Sequence, residues 1–288
     1  MDLDEVAQFI RANAGGYDSR SVDAWLSHST LARYRDWVPP PASGESTIMD
    51  IGCYEPSLGY YSALGWQDIV GIFKEENEIA RSGSSRFAEK RVQMVRLDVE
   101  VEAIPRESNS VDVVLMMEIL EHFELDPMHA LTEVNRVLKP GRLLVLSTPN
   151  ATSLDCVYRV IRGLEPHTGL EFSGFSTNRH NRIYDCSEIV ALLQAAGFEV
   201  QLMTSRTYDA PPPPLKARLL SVVLRVSDAY LRRRDGRPVE RGQFLFARAR
   251  KRRPPSQRFP RHFYFDRGVW ADWFKSNSPH FNGNGVCQ

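Results

Sequence analysis

Cysteine is scarce and scattered in this chain of 288 residues: Cys53, Cys156, Cys186 and Cys287, with no CxxC pair. That spacing speaks against a disulfide framework or a zinc ribbon and fits a reducing compartment such as the cytoplasm. No apolar run approaches the roughly 18 residues needed to cross a bilayer. The opening stretch MDLDEVAQFIRANAGG carries acidic residues and no long apolar core, unlike a signal peptide. Net charge is also lacking, since 36 basic residues balance 36 acidic ones. The balance is uneven along the chain, however. Residues 211–288 hold 17 Lys and Arg against 5 Asp and Glu, so a basic tail follows an acidic body. Such a tail suits an anionic partner, docking on the body, or plain solvation.

Glycine is missing where a nucleotide loop most needs it. Residues 47–59, TIMDIGCYEPSLG, read as a buried strand opening into a glycine turn at Gly52. In the common pattern, glycines follow at the second and fourth positions so that backbone can approach a ligand closely. Here those positions are Tyr54 and Pro56. Tyr54 resists positive φ and Pro56 lacks an N–H. Gly59, three residues further, offers a displaced turn.

What is present is an ordinary globular composition, 42% hydrophobic and 25% charged, in a length that fits one α/β domain with additions. Apolar residues at helical spacing mark 3–14 and about 21–38, before Pro39-Pro40-Pro41. Strand signals then alternate with helical ones: 47–51, 68–72, 92–97, 111–116 and 142–147, with the clearest helix over 127–138. This alternation predicts a parallel sheet with helices on both faces. A capped helix over 187–196 stops at Gly197 and a strand follows over 198–204. After Pro211–Pro214, residues 215–234 form a basic amphipathic helix. Arg218, Arg225, Asp228 and Arg232 lie on one face, and Leu219, Val222, Val223, Val226 and Tyr230 on the other. The default expectation packs the apolar face inward and leaves the arginines outside. A last strand spans 243–249, and no fold is readable for 251–288.

The segment Ser110–Asn150, with SVDVVLMMEILEHF and then ALTEVNRVLKPGRLLVLSTPN, resembles class I S-adenosylmethionine-dependent methyltransferases of the small-molecule and glycan type. RHNRIYDCSEIVALLQAAGFEV downstream resembles the segment around their penultimate core helix. The resemblance covers about 46–250, and one glycine of the "KPGG" pattern is replaced by Arg142. It implies a doubly wound, seven-stranded, mostly parallel Rossmann-like sheet of order 3-2-1-4-5-7-6 with the last strand antiparallel. Residues 1–45 are then a helical N-terminal cap, 211–236 an insertion before the last strand, and 251–288 a basic, aromatic extension. The implied cofactor is S-adenosyl-L-methionine.

On that resemblance, Asp50, Gly52, Cys53, Glu55 and Gly59 fall at the cofactor loop. Asp98, after strand three, stands where the adenine amino group is bound, although a strand-end Asp also caps turns. Met116 and Met117 fall beside the adenine or the sulfonium. The acidic residue that holds the ribose hydroxyls is replaced by Phe73, at a cost of about 1.5–3 kcal/mol per charged hydrogen bond lost. Glu75 is the nearest replacement.

Methyl transfer asks the protein to position a nucleophile and to remove its proton. Glu118, Glu121 and His122 are the candidate catalytic residues, with His122 first because imidazole titrates near neutrality. His180, Arg182 and Tyr184 are candidate substrate contacts for a hydroxylated or anionic molecule such as a carbohydrate. Glu118-x-x-Glu121-His122 with a later histidine also resembles the metal set of RNA 3′-end 2′-O-methyltransferases. Arg182 at the matching later position disfavours a cation, so no metal is expected. The expected activity is O-methylation of a small hydroxylated acceptor such as a sugar. The alternatives are a non-catalytic binding module and a metal-assisted RNA methyltransferase. Residues 215–234 suit contact with an anionic membrane surface better than with nucleic acid.

Overall fold

The computed structural model describes residues 28–53, 55–74, 91–166, 171–173, 176–178, 180–208, 215–235, 239–256 and 260, with isolated positions before residue 28. Tyr54, Glu75, most of the helix expected over 3–14 and the stretch 261–288 lie outside the described residues.

Helix α1 (His28–Trp37) precedes strand β1 (Thr47–Ile51), helix α2 (Glu55–Ala63) and strand β2 (Asp68–Phe73). Strands β3 (Arg91–Arg96) and β4 (Val111–Met117) follow, then a 3₁₀ turn over Leu120–His122. Helix α3 (Pro127–Val137) runs directly into β5 (Leu138–Pro149), and α4 (Leu154–Ile161) comes next. A small hairpin, β6 (Glu171–Ser173) with β7 (Ser176–Asn178), has no counterpart in the sequence reading. The chain closes with α5 (Cys186–Ala195), β8 (Phe198–Arg206), α6 (Leu215–Asp235) and β9 (Phe244–Lys251).

Seven strands form one sheet in the order β3-β2-β1-β4-β5-β9-β8. Only β9 runs antiparallel to its neighbours, as the 3-2-1-4-5-7-6 expectation requires. Strands β1 and β4 are buried along their whole length, as parallel strands covered on both faces must be. One face packs Met49, Val70, Val114 and Met116 against Leu131, Val134, Ile189 and Leu193 of α3 and α5. The other packs Ile48, Ile69, Leu115 and Met117 against Trp37, Tyr60 and Tyr61 of α1 and α2. Trp37 stacks on Phe246 at 4.6 Å, which anchors the N-terminal helix to the sheet.

Local chemistry explains several boundaries. Asp126 caps α3 by accepting the Met128 N–H at 2.9 Å, with Pro127 at the first helical position. Arg142, the departure from the glycine pattern, pairs with the buried Asp112 at 3.0 Å, beside Lys139 at 2.7 Å. Asn150 donates to the carbonyls of Glu240 and Gly242 and so clamps the return from α6 into β9.

Helix α6 reverses the expected orientation. Ala217 and Asp228 are buried, whereas Leu219, Val222, Val223 and Val226 point to solvent. The inward position of Asp228 is fixed by a two-point ion pair with Arg241, at 2.6 and 3.0 Å. No helix among the described residues is long and apolar enough to cross a membrane.

Candidate active site

Strand order reverses between β1 and β4, and α/β sheets bind ligands at the carboxyl ends of strands at such a switch point. Gly52 leaves β1 with φ +82°, a conformation that favours glycine. The N–H groups of Gly52 and Cys53 both donate to Ile72 O, each at 2.9 Å. A Cβ on Gly52 would stand 2.7 Å from Ile119 Cδ1, so this turn closely abuts the segment after β4. Asp50 is buried, and its Oδ2 accepts from Ser57 Oγ at 3.0 Å and Tyr61 Oη at 2.7 Å. Burial pushes its carboxyl up to about 6, against those hydrogen bonds. Asp50 thereby ties α2 to the turn. The buried Cys53 thiol lies 3.5 Å from Ser57 Oγ. Gly59 does not open a displaced turn: it sits inside α2, where a Cβ would come 3.1 Å from Ile10 Cγ1. Glu55 begins α2, and its side chain is outside the described residues.

Asp98 combines two roles already. Its Oδ1 accepts the Glu100 N–H at 3.0 Å, and its Oδ2 lies 3.0 Å from Lys74 Nζ. A ligand donor at Oδ2 competes with that lysine. Met116 and Met117 do not share a ligand-facing surface. Adjacent strand residues face opposite sides, and these two fill the two separate cores.

The chemistry-bearing groups cluster beyond β4. Glu118 takes φ +55°, rare for a side-chain-bearing residue. Ser147 holds it there, accepting the Glu118 N–H at its carbonyl and donating its hydroxyl to Oε1 at 2.6 Å. Arg33 of α1 approaches Glu118 Oε2 at 3.5 Å while lying 4.8 Å above the Phe244 ring. Burial raises the Glu118 carboxyl to about 7, although Arg33 and Ser147 pull it down. Glu121 is buried and accepts from Thr148 Oγ1 at 3.0 Å. Burial first, then the charge of Glu118, push Glu121 well above the usual carboxylate range.

His122 Nε2 lies 3.9 Å from Glu121 Oε1, and its ring meets His180 edge-on at 5.0 Å. The segment carrying His180 is stitched to the 3₁₀ turn. Asn181 N donates to Glu121 O at 2.7 Å, and Asn181 Nδ2 donates to His122 O at 2.9 Å. One ligand atom each from Glu121, His122 and His180 falls within 4.8 Å of the others. The buried Glu100 fixes the following loop by accepting the N–H groups of Glu124 and Asp126.

Two of the three expected substrate contacts follow Asn181 beside Glu121, with their side chains engaged by other partners. Arg182 is drawn to Glu188, which together with Asp185 forms the capping box of α5. Tyr184 is 2% exposed and its ring fills the core beneath α5. His180, not Arg182, is the late residue that reaches His122. Ser147 and Thr148 belong to the STPN strand end, a pattern that marks the strand and not the role of its two hydroxyls. Arg33 and Asn181 carried no motif to single them out.

The model of the methyltransferase domain family matches residues 26–202, more than half of the chain. This chain belongs to the class I S-adenosylmethionine-dependent methyltransferases. Their cofactor is S-adenosyl-L-methionine. A probable S-adenosylmethionine-dependent methyltransferase of Mycolicibacterium smegmatis is 30% identical over 54% of this chain, which spans 52% of that protein. A ubiquinone biosynthesis O-methyltransferase of Hahella chejuensis is 29% identical over 73% of the chain and 86% of its own length. Among solved structures, an S-adenosylmethionine-dependent methyltransferase from Mesorhizobium loti has a TM-score of 0.52 at 15% identity, covering 78% of this chain and 98% of its own. The putative methyltransferase bound to the Trm112 activator of Haloferax volcanii also scores 0.52, at 16% identity, covering 85% and 98%. Both structural likenesses concern the fold.

Proposed function

We propose that this methyltransferase O-methylates a small hydroxylated molecule, with His122 as the base that takes the acceptor's proton. The observation that carries the reading is the convergence of Glu118, Glu121, His122 and His180 at the carboxyl end of β4. Gly52, Cys53 and Asp98 are the residues that would hold the cofactor across the switch point. The glycine turn with its positive φ suits a closely approaching ligand. The ribose must be held without a carboxylate at Phe73. Bound there, S-adenosyl-L-methionine supplies an electrophilic methyl group on a sulfonium. His122 Nε2 accepts the hydroxyl proton as the acceptor oxygen attacks, with Glu121 Oε1 3.9 Å from that nitrogen. Ser147, Thr148 and Arg33 keep the two carboxyls in place.

The names of the relatives that cover most of the chain support O-methyl transfer. A carbohydrate acceptor rests on the sequence resemblance alone. Calorimetric titration with S-adenosylmethionine, followed by transfer of labelled methyl to panels of hydroxylated sugars and hydroxylated aromatics, tests the reading. Micromolar binding that Asp98→Ala weakens is expected. A fall in turnover on the order of a hundredfold in His122→Ala is expected as well. No binding up to millimolar cofactor would instead favour the non-catalytic module.

A second reading has its own observation. Glu121, His122 and His180 offer one carboxylate and two imidazoles within 4.8 Å, a donor set that suits a divalent cation. Arg182, the residue expected to repel it, is paired with Glu188. A cation held there would polarise the acceptor hydroxyl in place of a base. Turnover abolished by chelator and restored by magnesium, manganese or zinc selects this reading, and RNA joins the acceptor panel as its third arm.

A further inference from the structure

We propose that α6, together with the end of α4, docks this protein onto an anionic bilayer surface. The inference goes beyond the methyl-transfer reading and stands whichever residue is the base. At roughly 100° per residue, Leu215, Leu219, Val222, Val223, Val226 and Tyr230 fall on one arc of α6. They are 58–71% exposed, although they include the most apolar side chains of the helix. The opposite arc, with Ala217 and Asp228, is the one that packs.

This orientation is built in. Asp228 holds the inward face through Arg241, whose Nη1 donates to Thr152 O at 2.9 Å and whose carbonyl accepts the Leu154 N–H at 3.0 Å. Rotating the helix to hide its apolar arc would break that clamp. The end of α4 lies against the flank of α6, and its Val160 and Ile161 are 56% and 63% exposed. A cleft of about 290 Å³ between the two helices is lined by Tyr158, Ile161, Arg162, Lys216 and Leu220.

Charge decides the occupant. Arg218 and Arg225 border the apolar arc on one side, and Lys216 and Arg234 on the other, all exposed. Among the described residues of α6, no acidic side chain lies on the outward arc. The acids in the helix are the inward Asp228 and Asp235 at its last position. An apolar ridge between two basic borders matches acyl chains flanked by anionic headgroups. A second copy laid across the ridge would set these basic borders against each other. No described helix is long and apolar enough to span, so the contact is interfacial. Strand β8 runs parallel to the core strands, so α6 leaves the sheet at the carboxyl edge that also carries Glu118 to His122. Docking through α6 therefore brings that edge toward the bilayer.

Co-sedimentation of the full chain with vesicles tests the proposal. Phosphatidylcholine vesicles are compared with vesicles in which a third of the lipid is phosphatidylglycerol, at low and high salt. Binding to the anionic vesicles is expected, weakened by salt. The outward double variant Val222→Asp/Val226→Asp is expected to lose binding by on the order of tenfold or more. Arg218→Glu/Arg225→Glu is expected to lose the preference for anionic lipid. Circular dichroism confirms that each variant folds, which the outward positions favour. Absent binding to anionic vesicles overturns the proposal, as does binding that ignores Val222→Asp/Val226→Asp. A soluble dimer or protein complex that Val222→Asp/Val226→Asp dissolves, without vesicle binding, assigns the ridge to a protein partner and overturns it as well.

Discussion

Gly52 carries two constraints at once, and they can be separated. Its φ of +82° penalises any side chain, by about 1 kcal/mol for alanine. Its missing Cβ also leaves room for Ile119 Cδ1, which would otherwise stand at 2.7 Å. Gly52→Ala is expected to destabilise the protein by about 2–3 kcal/mol in urea unfolding. In an Ile119→Val background, which removes Cδ1, the same change should cost less, leaving mainly the backbone part. Equal penalties in both backgrounds would show that Ile119 yields freely. The residue scale also shows why the site was only partly legible. Gly52, Glu121 and His122 stand in motifs whose spacing announces them. Arg33 does not, because its approach to Glu118 depends on how α1 crosses the sheet. Arg182 and Tyr184 show a related effect: in one polar segment, the α5 capping box engages the first side chain and the core buries the second.

Elements were read more securely than their faces. Strands β1, β2 and β4 begin at the expected residues, because doubly covered parallel strands advertise themselves as apolar runs between turn residues. The existence of α6 was equally plain, but its orientation was not. Periodicity identifies an apolar arc, and only tertiary anchors say whether that arc points inward. Here the anchor is one ion pair, Asp228 with Arg241. Asp228→Ala should therefore loosen α6 locally while leaving the sheet intact. The loss is on the order of 2 kcal/mol in the opening free energy of the helix, or roughly thirtyfold faster amide exchange across it. Exchange in β4 and β5 should stay unchanged. If α6 amides exchange at the wild-type rate in Asp228→Ala, the clamp is not what orients the helix.

At the scale of the whole molecule, the alternation of strands and helices implies a parallel sheet covered on both faces, and the strand order follows from the family resemblance. The cost of burying charge beneath the switch point could not follow from either. Asp50 ionises near 3.8 in an unfolded chain, and burial raises it to about 6 in the fold. Between those values the folded state keeps a proton that the unfolded state releases. Its contribution to stability is therefore fully present below 3.8, declines as pH rises through 6, and stays low above. That interval corresponds to about 3 kcal/mol. Asp50→Asn keeps an oxygen that can accept from both Ser57 and Tyr61, and it cannot ionise. Urea unfolding should give Asp50→Asn an advantage over the parent protein that grows by up to about 3 kcal/mol from about pH 4 to about pH 7. An advantage that stays constant across this range would mean that the carboxyl keeps its ordinary affinity for protons, and that Ser57 and Tyr61 fully offset its burial.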